Sequence, residues 1–331
     1  MYRKINDIQL RTGESVELGV VTAPDMEWGR KLCHLLGSKE ARWLWQVDQI
    51  LGNPACGVEG YFYVLLKNGR PFSNIATAET HGIGIFGHVF TTPEERKKGA
   101  ADILHNYQME DFKARGGRAL YLGTTYNSPA YRLYQKYGFV GSEPQGGAMY
   151  YFTHGQETFE AEVFQPAAVT LESFAYKHWP SLSALAMKKH PTMLRILGMD
   201  ITEALSSEAG SLPFLMAMHE NNRSFDAQLA ISNVSHVPVA IACRRLEPSF
   251  GSQVDLLDVF AAQGHEKHIP LLVESLKLDQ NRKAICYADA AWPAKIEALK
   301  RAGFRLDVTL ENHFRSHSNE VHNLTLWVKG R

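Results

Sequence analysis

The stretch TTPEERKKGAAD at residues 91–102 combines side-chain types that suit the binding of an anionic ligand. Its small residues are Gly99, Ala100 and Ala101, and its cations are Arg96, Lys97 and Lys98. An apolar pattern of helical period follows, so the stretch stands where a helix begins. The first turn of a helix has backbone N–H groups without an intrahelical partner, and the helix dipole favours anions there. The spacing therefore predicts a diphosphate site; a solvated basic helix start without a ligand is the alternative.

The elements around this stretch can be read from the periodicity of the sequence. The segment GIFGHVFTT reads as the strand that leads into the stretch, and the helix after it ends at Gly116-Gly117. RALYLGTT reads as a buried strand, and Ser128-Pro129 supplies an N-cap and a first-turn proline for the next helix. That helix closes at Gly138-Phe139, and AMYYF reads as the last strand of the unit. The chemistry-bearing stretch is thus expected at a strand-to-helix junction.

The preceding part of the chain predicts a strand, two helices and an antiparallel meander. Residues 15–23 read as a strand, and Asp25 can cap a helix through about Leu36. A second helix is expected over about 38–51, and Asn68-Gly69 marks a hairpin between two strands. The expected fold is an α/β (α+β) fold: a mixed, mostly antiparallel sheet flanked by helices.

The second half of the chain resembles the first in the order of its motifs. The pattern lapses over 153–165, a helical segment is expected over about 170–220, and strands follow. NVSHVPVAIACRRL is similar to KNGRPFSNIATAET, QVDLLDVFAAQ to GIFGHVFTTP, and PAKIEALKRAGF to SPAYRLYQKYGF, in the same order. The sequence therefore predicts two tandem domains of one fold, at residues 1–155 and 165–331.

Two motifs of the first half resemble those of the GNAT superfamily of N-acetyltransferases. PEERKKGAAD is similar to the family's acyl-CoA pyrophosphate loop, Gln/Arg-x-x-Gly-x-Gly/Ala, with matches at Arg96, Gly99 and Ala101. NSPAYRLYQKYGF is similar to the family's second motif, with Asn127, Tyr134 and the Gly138-Phe139 pair at the usual spacing. The resemblance covers about residues 15–152. It implies acetyl-CoA as co-substrate, with no metal.

The resemblance also implies how the cofactor is held. Two strands of the sheet splay apart, and the pantetheine arm lies in the gap along the backbone of Phe90, Thr91 and Thr92. A bulge is expected in this strand, with a free N–H that faces the thioester oxygen. Asn127 corresponds to a residue that hydrogen-bonds the cofactor; a turn-forming Asn before Ser-Pro is an equally natural reading.

Tyr134 stands at the position of the family's general acid, four residues before the Gly of the Gly-Phe pair. A phenol there can protonate the departing thiolate, although the residue also lies on the apolar face of its helix. His88 is the candidate base, with Glu79, His81 and a water chain as alternatives. No nucleophile with a matching base is apparent, so direct attack of the amine in a ternary complex is expected.

The second half departs from the family pattern at each of these positions. Glu266 replaces the Gly of the loop and His268 its second small residue, while Leu299 and Trp292 stand at the acid and Asn positions. A carboxylate in the loop repels a diphosphate, so this domain is expected to be non-catalytic. Its histidines are read as surface or structural residues: His265, His268, His313, His317 and His322.

The composition of the chain indicates which binding partners and which cellular compartment to expect. The chain has 331 residues and a formal net charge of zero, which gives no support to a nucleic-acid or membrane partner. Its four cysteines are widely spaced, as in a reduced protein, and the polar N-terminus predicts no signal peptide; a cytoplasmic location is expected. The acceptor is expected to be a small-molecule or peptide amine, and a homodimer is possible.

The acceptor itself is not encoded by a motif. Residues 25–60 contain aromatic and acidic side chains that suit a cationic amine, or simply a core: Trp28, Glu40, Trp43, Trp45 and Asp48. The predicted function is acetyl-CoA-dependent acetyl transfer to a primary amine. The alternatives are a non-catalytic acyl-CoA-binding or sensing module and an interaction protein.

Overall fold

The computed structural model describes residues 1–247, 254–279, 281–316 and 319–330. Residue contacts divide the chain into two compact units. The first comprises Met1–Val140 and Met149–His154, and the second comprises Gly141–Ala148 and Gly155–Arg331. His317 lies outside the described residues, and so does Gln253, the first residue of the repeated segment QVDLLDVFAAQ. The domain limits inferred from the sequence stay a prediction.

An 8-stranded sheet of order β1-β2-β3-β4-β5-β6-β8-β7 belongs to the first unit, except for its residues Gly141 and Ala148. Its elements are β1 (Tyr2–Gln9), β2 (Ser15–Thr22), α1 (Met26–Leu35), α2 (Ala41–Gly52), β3 (Glu59–Lys67), β4 (Arg70–Thr80), β5 (Ile83–Thr91), α3 (Ala100–Ala114), β6 (Ala119–Gly123), α4 (Pro129–Lys136), β7 (Val140–Gly141) and β8 (Ala148–Phe152). The prediction of a mixed, mostly antiparallel sheet with flanking helices is confirmed.

Helices α3 and α4 share one apolar core with the central strands. The core includes Leu104 and Phe112 of α3, Tyr134 of α4 and Phe86 of β5. Helices α1 and α2 pack on each other and on β3 and β4, and their buried Leu32 and Val47 lie outside that core. The sheet is therefore covered by two pairs of helices, as the amphipathic patterns require.

The local signals of the sequence explain several of these elements. The carboxylate of Asp25 accepts a hydrogen bond from the N–H of Trp28 at 3.1 Å and caps α1. Asn68 and Gly69 have φ values of 51° and 73°, the left-handed pair that a two-residue hairpin needs. Ser128 accepts from the N–H of Tyr131 at 3.1 Å and caps α4. These predictions are confirmed.

Strands β5 and β6 form the parallel pair that positions the predicted site. They pair at Ile83↔Ala119, Gly84↔Leu120 and Ile85↔Tyr121. Both strands run on beyond this pairing, β5 to Thr91 and β6 to Gly123. Within the described residues the two strands have no further pairs, so their C-terminal parts are separate and α3 begins close to the end of β5.

The second unit carries a 7-stranded sheet of order β16-β17-β15-β14-β13-β12-β9. Its elements are α5 (Gln156–Val163), β9 (Val169–Ser173), α6 (Trp179–Ala186), β10 (Leu194–Ile196), β11 (Ile201–Thr202), α7 (Ser207–Gly210), α8 (Leu212–His219), β12 (Phe225–Ser232), β13 (Pro238–Leu246), β14 (Val254–Ala261), α9 (Ile269–Ser275), β15 (Lys283–Asp289), α10 (Pro293–Arg301), β16 (Arg305–Arg315) and β17 (Val321–Lys329).

The second sheet repeats the strand order of the first, apart from β1. Apart from β1, each sheet has four neighbouring antiparallel strands, and the last of them forms a parallel pair with the next strand, β5 with β6 in the first sheet and β14 with β15 in the second. In each sheet the last two strands in chain order are neighbours at the outer edge, β7 with β8 in the first and β16 with β17 in the second. The two sheets fit the predicted tandem arrangement, and descent from one duplicated domain stays a prediction.

Two features of the chain differ from the expectations. The segment 170–220 is not helical throughout, because it also contains β10, β11 and most of β9. Strand β9 pairs with β12 more than fifty residues later, as in Leu171↔Ala230, and such long-range pairing leaves no local sequence signal. The N-terminal residues, which carried no prediction, form the exposed edge strand β1.

Candidate functional site

A cavity of about 480 Å³ lies at the N-terminus of α3. Three loop or helix-start residues line it with small or absent side chains: Gly99, Ala100 and Ala101. Thr91 from the end of β5 and Pro129 and Leu133 from α4 complete its wall. The cavity thus lies between the two motifs that the sequence singled out, and their elements converge on it.

Gly99 explains how the chain exposes the start of α3. It is the N-cap residue, with φ 89° and ψ 2°, and it has no side chain that could cap the helix. A Cβ at this position would lie 3.0–3.2 Å from the side-chain atoms of Arg11. Glycine therefore permits both the left-handed turn and the close approach of Arg11, and it leaves the first N–H groups of α3 at the cavity.

Two of the three predicted cations line this cavity. Arg96 donates from Nε to the carbonyl oxygen of Thr91 at 3.0 Å, which fixes its guanidinium beside the end of β5. Lys97 also lines the cavity and has a left-handed backbone, with φ 65°. Lys98 is not among the lining residues; its ammonium lies 2.8 Å from a carboxylate oxygen of Glu95. Lys98 thus supports the fold of the loop.

Sequence reasoning missed two further cations at the cavity, Arg11 and Lys136. Both pair with Asp102 in the first turn of α3: the Arg11 guanidinium at 3.1 Å and the Lys136 ammonium at 2.5 Å. The hydroxyl of Tyr137 donates to the same carboxylate at 2.8 Å. The hydrogen bond from Lys136 holds the pKa of Asp102 below its usual value. Asp102 therefore gathers cations from the first hairpin and from α4 beside the helix start.

The end of β5 presents alternate residues to opposite sides. Thr91 lines the cavity at α3, while Phe90 and Thr92 line a different cavity. The alternation is that of an extended strand. The register of β4 against β5 shifts between Asn74↔Phe90 and Ala76↔Gly87, so the predicted bulge in this strand is present.

His88 lies in this bulge, with φ 52°. Its Nε2 lies 2.7 Å from Oε1 of Gln46, and its ring meets Trp43 edge-on at 6.3 Å. Burial lowers the pKa of His88 to about 3, so the imidazole is neutral at physiological pH. A neutral imidazole can accept a proton, but one with so low a pKa is a weak base. The role of His88 as base stays a prediction.

Tyr134 lies in the aromatic core of the first unit and is 6% exposed. Its ring meets Phe86 edge-on at 5.2 Å and His105 at 5.7 Å. Tyr134 is one helical turn from Pro129 and Ala130 and neighbours Leu133, which lines the cavity. Tyr134 is not among the residues that line the cavity, so its ring contacts show packing and its role as general acid stays a prediction.

Asn127 has a left-handed backbone, with φ 53°, immediately before the α4 cap. Nη1 of Arg132 donates to its side-chain oxygen at 3.0 Å and to its carbonyl oxygen. The turn-forming reading accounts for this geometry. The predicted contact of Asn127 with the cofactor stays a prediction.

Glu79 belongs to a different network at the far end of β4. Both of its oxygens accept from the guanidinium of Arg115, at 2.7 and 2.9 Å, and Arg115 also pairs with Asp111 at 2.7 Å. Glu79 lies beside the turn before β5, at the opposite end of that strand from the cavity. Its carboxylate is thus a structural partner of α3.

The second unit uses the corresponding positions for packing. The loop before α9 contains Glu266, whose carboxylate accepts from the N–H of Gly264 at 2.8 Å. Leu299 and Trp292, at the acid and Asn positions, are both buried.

A buried polar cluster in the second unit bridges β14 and β15. Asp258 of β14 pairs with the ammonium of Lys295 at 2.7 Å and accepts from the N–H of Leu197 at 2.6 Å. Asp289 of β15 accepts from the N–H groups of Met193 and Leu194 at 3.0 and 3.4 Å. The segment around β10 is thereby tied to both strands by its own backbone.

Comparisons with known structures return many acetyltransferase folds. A phosphinothricin acetyltransferase from Sinorhizobium meliloti, solved with AcCoA, has 12% identity and a TM-score of 0.37 over 49% of this chain and 88% of its own. A GNAT-family acetyltransferase from Streptococcus pneumoniae has 12% identity and a TM-score of 0.39 over 49% and 98%. A ribosomal-protein-alanine N-acetyltransferase from Brucella melitensis has 14% identity and a TM-score of 0.36 over 49% and 99%.

The family comparison is more specific. No curated protein matches the sequence. The model of the acetyltransferase (GNAT) family matches residues 26–139, which run from the start of α1 to the Gly-Phe pair after α4. The matched segment contains the cavity loop, the bulged strand and Tyr134. Residues 26–139 therefore form a domain of the GNAT acetyltransferase family.

Proposed function

We propose that the protein is an acetyl-CoA-dependent N-acetyltransferase that transfers an acetyl group to a primary amine. The cavity at α3 carries the proposal, because it combines Arg96 and Lys97 with a helix start that no side chain caps. These groups suit the diphosphate of coenzyme A. Strands β5 and β6 have no pairs beyond Ile85↔Tyr121, and the gap between their ends, beside Phe90–Thr92, suits the pantetheine arm.

In this proposal the amine attacks the thioester carbonyl directly, and the carbon–sulfur bond breaks as the tetrahedral intermediate collapses. The bulge at His88 supplies a backbone N–H for the developing oxyanion. The ammonium form of the amine first loses one proton to water or to His88, because only the neutral amine can attack. Tyr134 then protonates the thiolate of coenzyme A, and the second proton that the nitrogen loses restores the phenol. The product is an amide.

The test compares wild type with Tyr134→Phe, which keeps the ring and its contacts with Phe86. Thiol release from acetyl-CoA is followed across a panel of amines, and acetyl-CoA binding is measured by calorimetry. We expect the rate constant kcat to fall by about 10²-fold or more, with the dissociation constant of acetyl-CoA unchanged. Equal rates in both proteins would remove Tyr134 from the mechanism.

The binding measurement separates the enzyme from its alternatives. Tight acetyl-CoA binding without thiol release for any amine would favour a sensing module. Absence of binding would contradict the assignment of the cavity to coenzyme A, whatever the activity of Tyr134→Phe.

In the second unit we propose no catalysis. The segment around β10 is tied to both β14 and β15, and Glu266 stands where the loop would meet a diphosphate.

A further inference from the structure

A cavity of about 460 Å³ lies at the side of β5 that Phe90 and Thr92 face. Its volume falls in the range of small-molecule sites. Leu35, Pro71 and Phe90 give it an apolar wall, and Lys31, His34 and Arg70 add basic side chains. No acidic residue is among those that line it in the described part of the chain.

The position of this cavity relates it to acetyl transfer. Phe90 lies next to the bulge in β5, and its backbone is on the proposed path of the pantetheine arm. Two residues of extended chain span about 7 Å, so a ligand beside Phe90 is within reach of the bulge. The diphosphate cavity contacts the opposite side of the same strand through Thr91. The two cavities therefore suit two ligands, a cofactor and an acceptor.

The basic groups of the cavity differ in how they are paired. The Lys31 ammonium lies 2.7 Å from Glu27 and 4.8 Å from the centroid of the Trp28 ring. The guanidinium of Arg70, by contrast, has no hydrogen-bond or ion-pair partner among residues 1–247, 254–279, 281–316 and 319–330. A planar guanidinium without a protein partner suits bidentate binding of a carboxylate or phosphate.

We propose that this cavity binds the acetyl acceptor, and that the acceptor is an amine with an apolar body and an anionic carboxylate or phosphate group bound by Arg70. The apolar wall takes the body, and the amine points toward the bulge. This inference rests on the proposed N-acetyltransferase function and replaces the cationic amine expected from the sequence. Trp28, one basis of that expectation, is 6% exposed and stacks on Tyr2 at 4.6 Å.

The test uses matched amines that differ by one anionic group. 4-(2-Aminoethyl)benzoate is compared with 2-phenylethylamine, and tyramine O-phosphate with tyramine. The variants are Arg70→Met, the charge-retaining Arg70→Lys, and Arg30→Met, which removes an exposed arginine of α1 outside both cavities. Acetyl-CoA-dependent thiol release gives kcat/KM for each pair, and the two pairs distinguish a carboxylate from a phosphate.

We expect wild type to prefer at least one anionic amine over its neutral partner by about tenfold to a hundredfold, the effect of a charge-assisted hydrogen-bonded pair. Arg70→Met should abolish this preference through KM, Arg70→Lys should retain part of it, and Arg30→Met should behave as wild type. Acetyl-CoA affinity should be the same in all four proteins. A preference that survives in Arg70→Met, or that favours the neutral amines, would overturn the inference and leave the N-acetyltransferase proposal intact.

Binding gives a readout that does not need turnover. Each anionic amine is titrated by calorimetry into the protein saturated with coenzyme A, which forms a non-reactive ternary complex. Binding that Arg70→Met weakens supports the site even where thiol release is absent, in which case the proposed function fails alone. No difference between wild type and Arg70→Met in binding and in rate would refute the inference.

Discussion

Placing a carboxylate in the first turn of α3 should separate ligand binding from protein stability. Ala101 is half-buried, lines the diphosphate cavity, and follows Ala100 at the start of the helix. Ala101→Glu adds a negative charge at this point, and Ala101→Gln adds a side chain of the same size without the charge. Any steric effect is shared by both variants, so their difference reports electrostatics.

The two expected effects have opposite signs. A carboxylate near a helix N-terminus stabilises the fold by about 0.3–1 kcal/mol through the helix dipole. Against each bound phosphate at about 5 Å, the same charge costs about 0.8 kcal/mol at the dielectric constant of water and about 3 kcal/mol at an effective value of 20. Two phosphates therefore cost about 1.7 kcal/mol at the dielectric constant of water and more at a half-buried position, which gives at least about a fifteenfold loss of acetyl-CoA affinity.

Calorimetry with acetyl-CoA and denaturant unfolding of the unliganded variants check both effects. The gap between Ala101→Glu and Ala101→Gln should narrow as salt is raised from 0.1 M to 1 M, because the Debye length falls from about 10 to 3 Å. If Ala101→Glu bound acetyl-CoA as tightly as Ala101→Gln at low salt, the diphosphate would not lie at this helix start.

Two further predictions concern buried polar groups. Burial lowers the pKa of His105 to about 3, from an ordinary value of 6.5. Between these two pH values His105 takes up a proton in the unfolded chain but not in the folded protein. The free energy of unfolding therefore decreases as the pH falls from 6.5 toward 3. His105→Phe should remove about 2 kcal/mol of the stability lost between pH 8 and pH 5 in urea titrations, and an unchanged pH slope would contradict this. Asp289→Asn should destabilise the second unit by about 1–3 kcal/mol while acetyl-CoA affinity stays constant. Asp307→Asn, at an exposed ion pair with Lys283, is the matched control.

The sequence predicted those parts of the first unit that local signals determine. The cap at Asp25, the hairpin at Asn68-Gly69 and the helix start at Gly99 each depend on residues a few positions apart. Strand β1 was not predicted, because its residues are mostly exposed and its sequence lacks a clear alternation of apolar and polar residues. Its pairing with β2 is decided by neighbours that no local pattern reveals.

In the candidate site too, local sequence predicted some features and tertiary contacts determined the others. The loop cations Arg96 and Lys97 were found because they adjoin the motif. Arg11 and Lys136 lie far from it along the chain, and both side chains pair with the carboxylate of Asp102. Lys98 fits the motif as well as its neighbours do, yet its direction is set by Glu95, itself 8% exposed. The spacing of the motif locates the helix start, whereas tertiary contacts decide which charged side chains line the cavity.

The two sheets share a strand order, apart from β1, but they differ in what lies beyond the last paired residues of their two parallel strands. In the first unit β5 and β6 separate after Ile85↔Tyr121, and the end of β5 borders a cavity on either side. In the second, β14 and β15 separate after Leu256↔Ile285, and the chain around β10 is hydrogen-bonded to Asp258 and Asp289 beyond that point. These buried carboxylates would each lose backbone donors if a ligand displaced that segment, which is costly in a water-excluded interior. We therefore expect one molecule of acetyl-CoA per chain in calorimetry, and a stoichiometry of two would refute this assignment of the second unit.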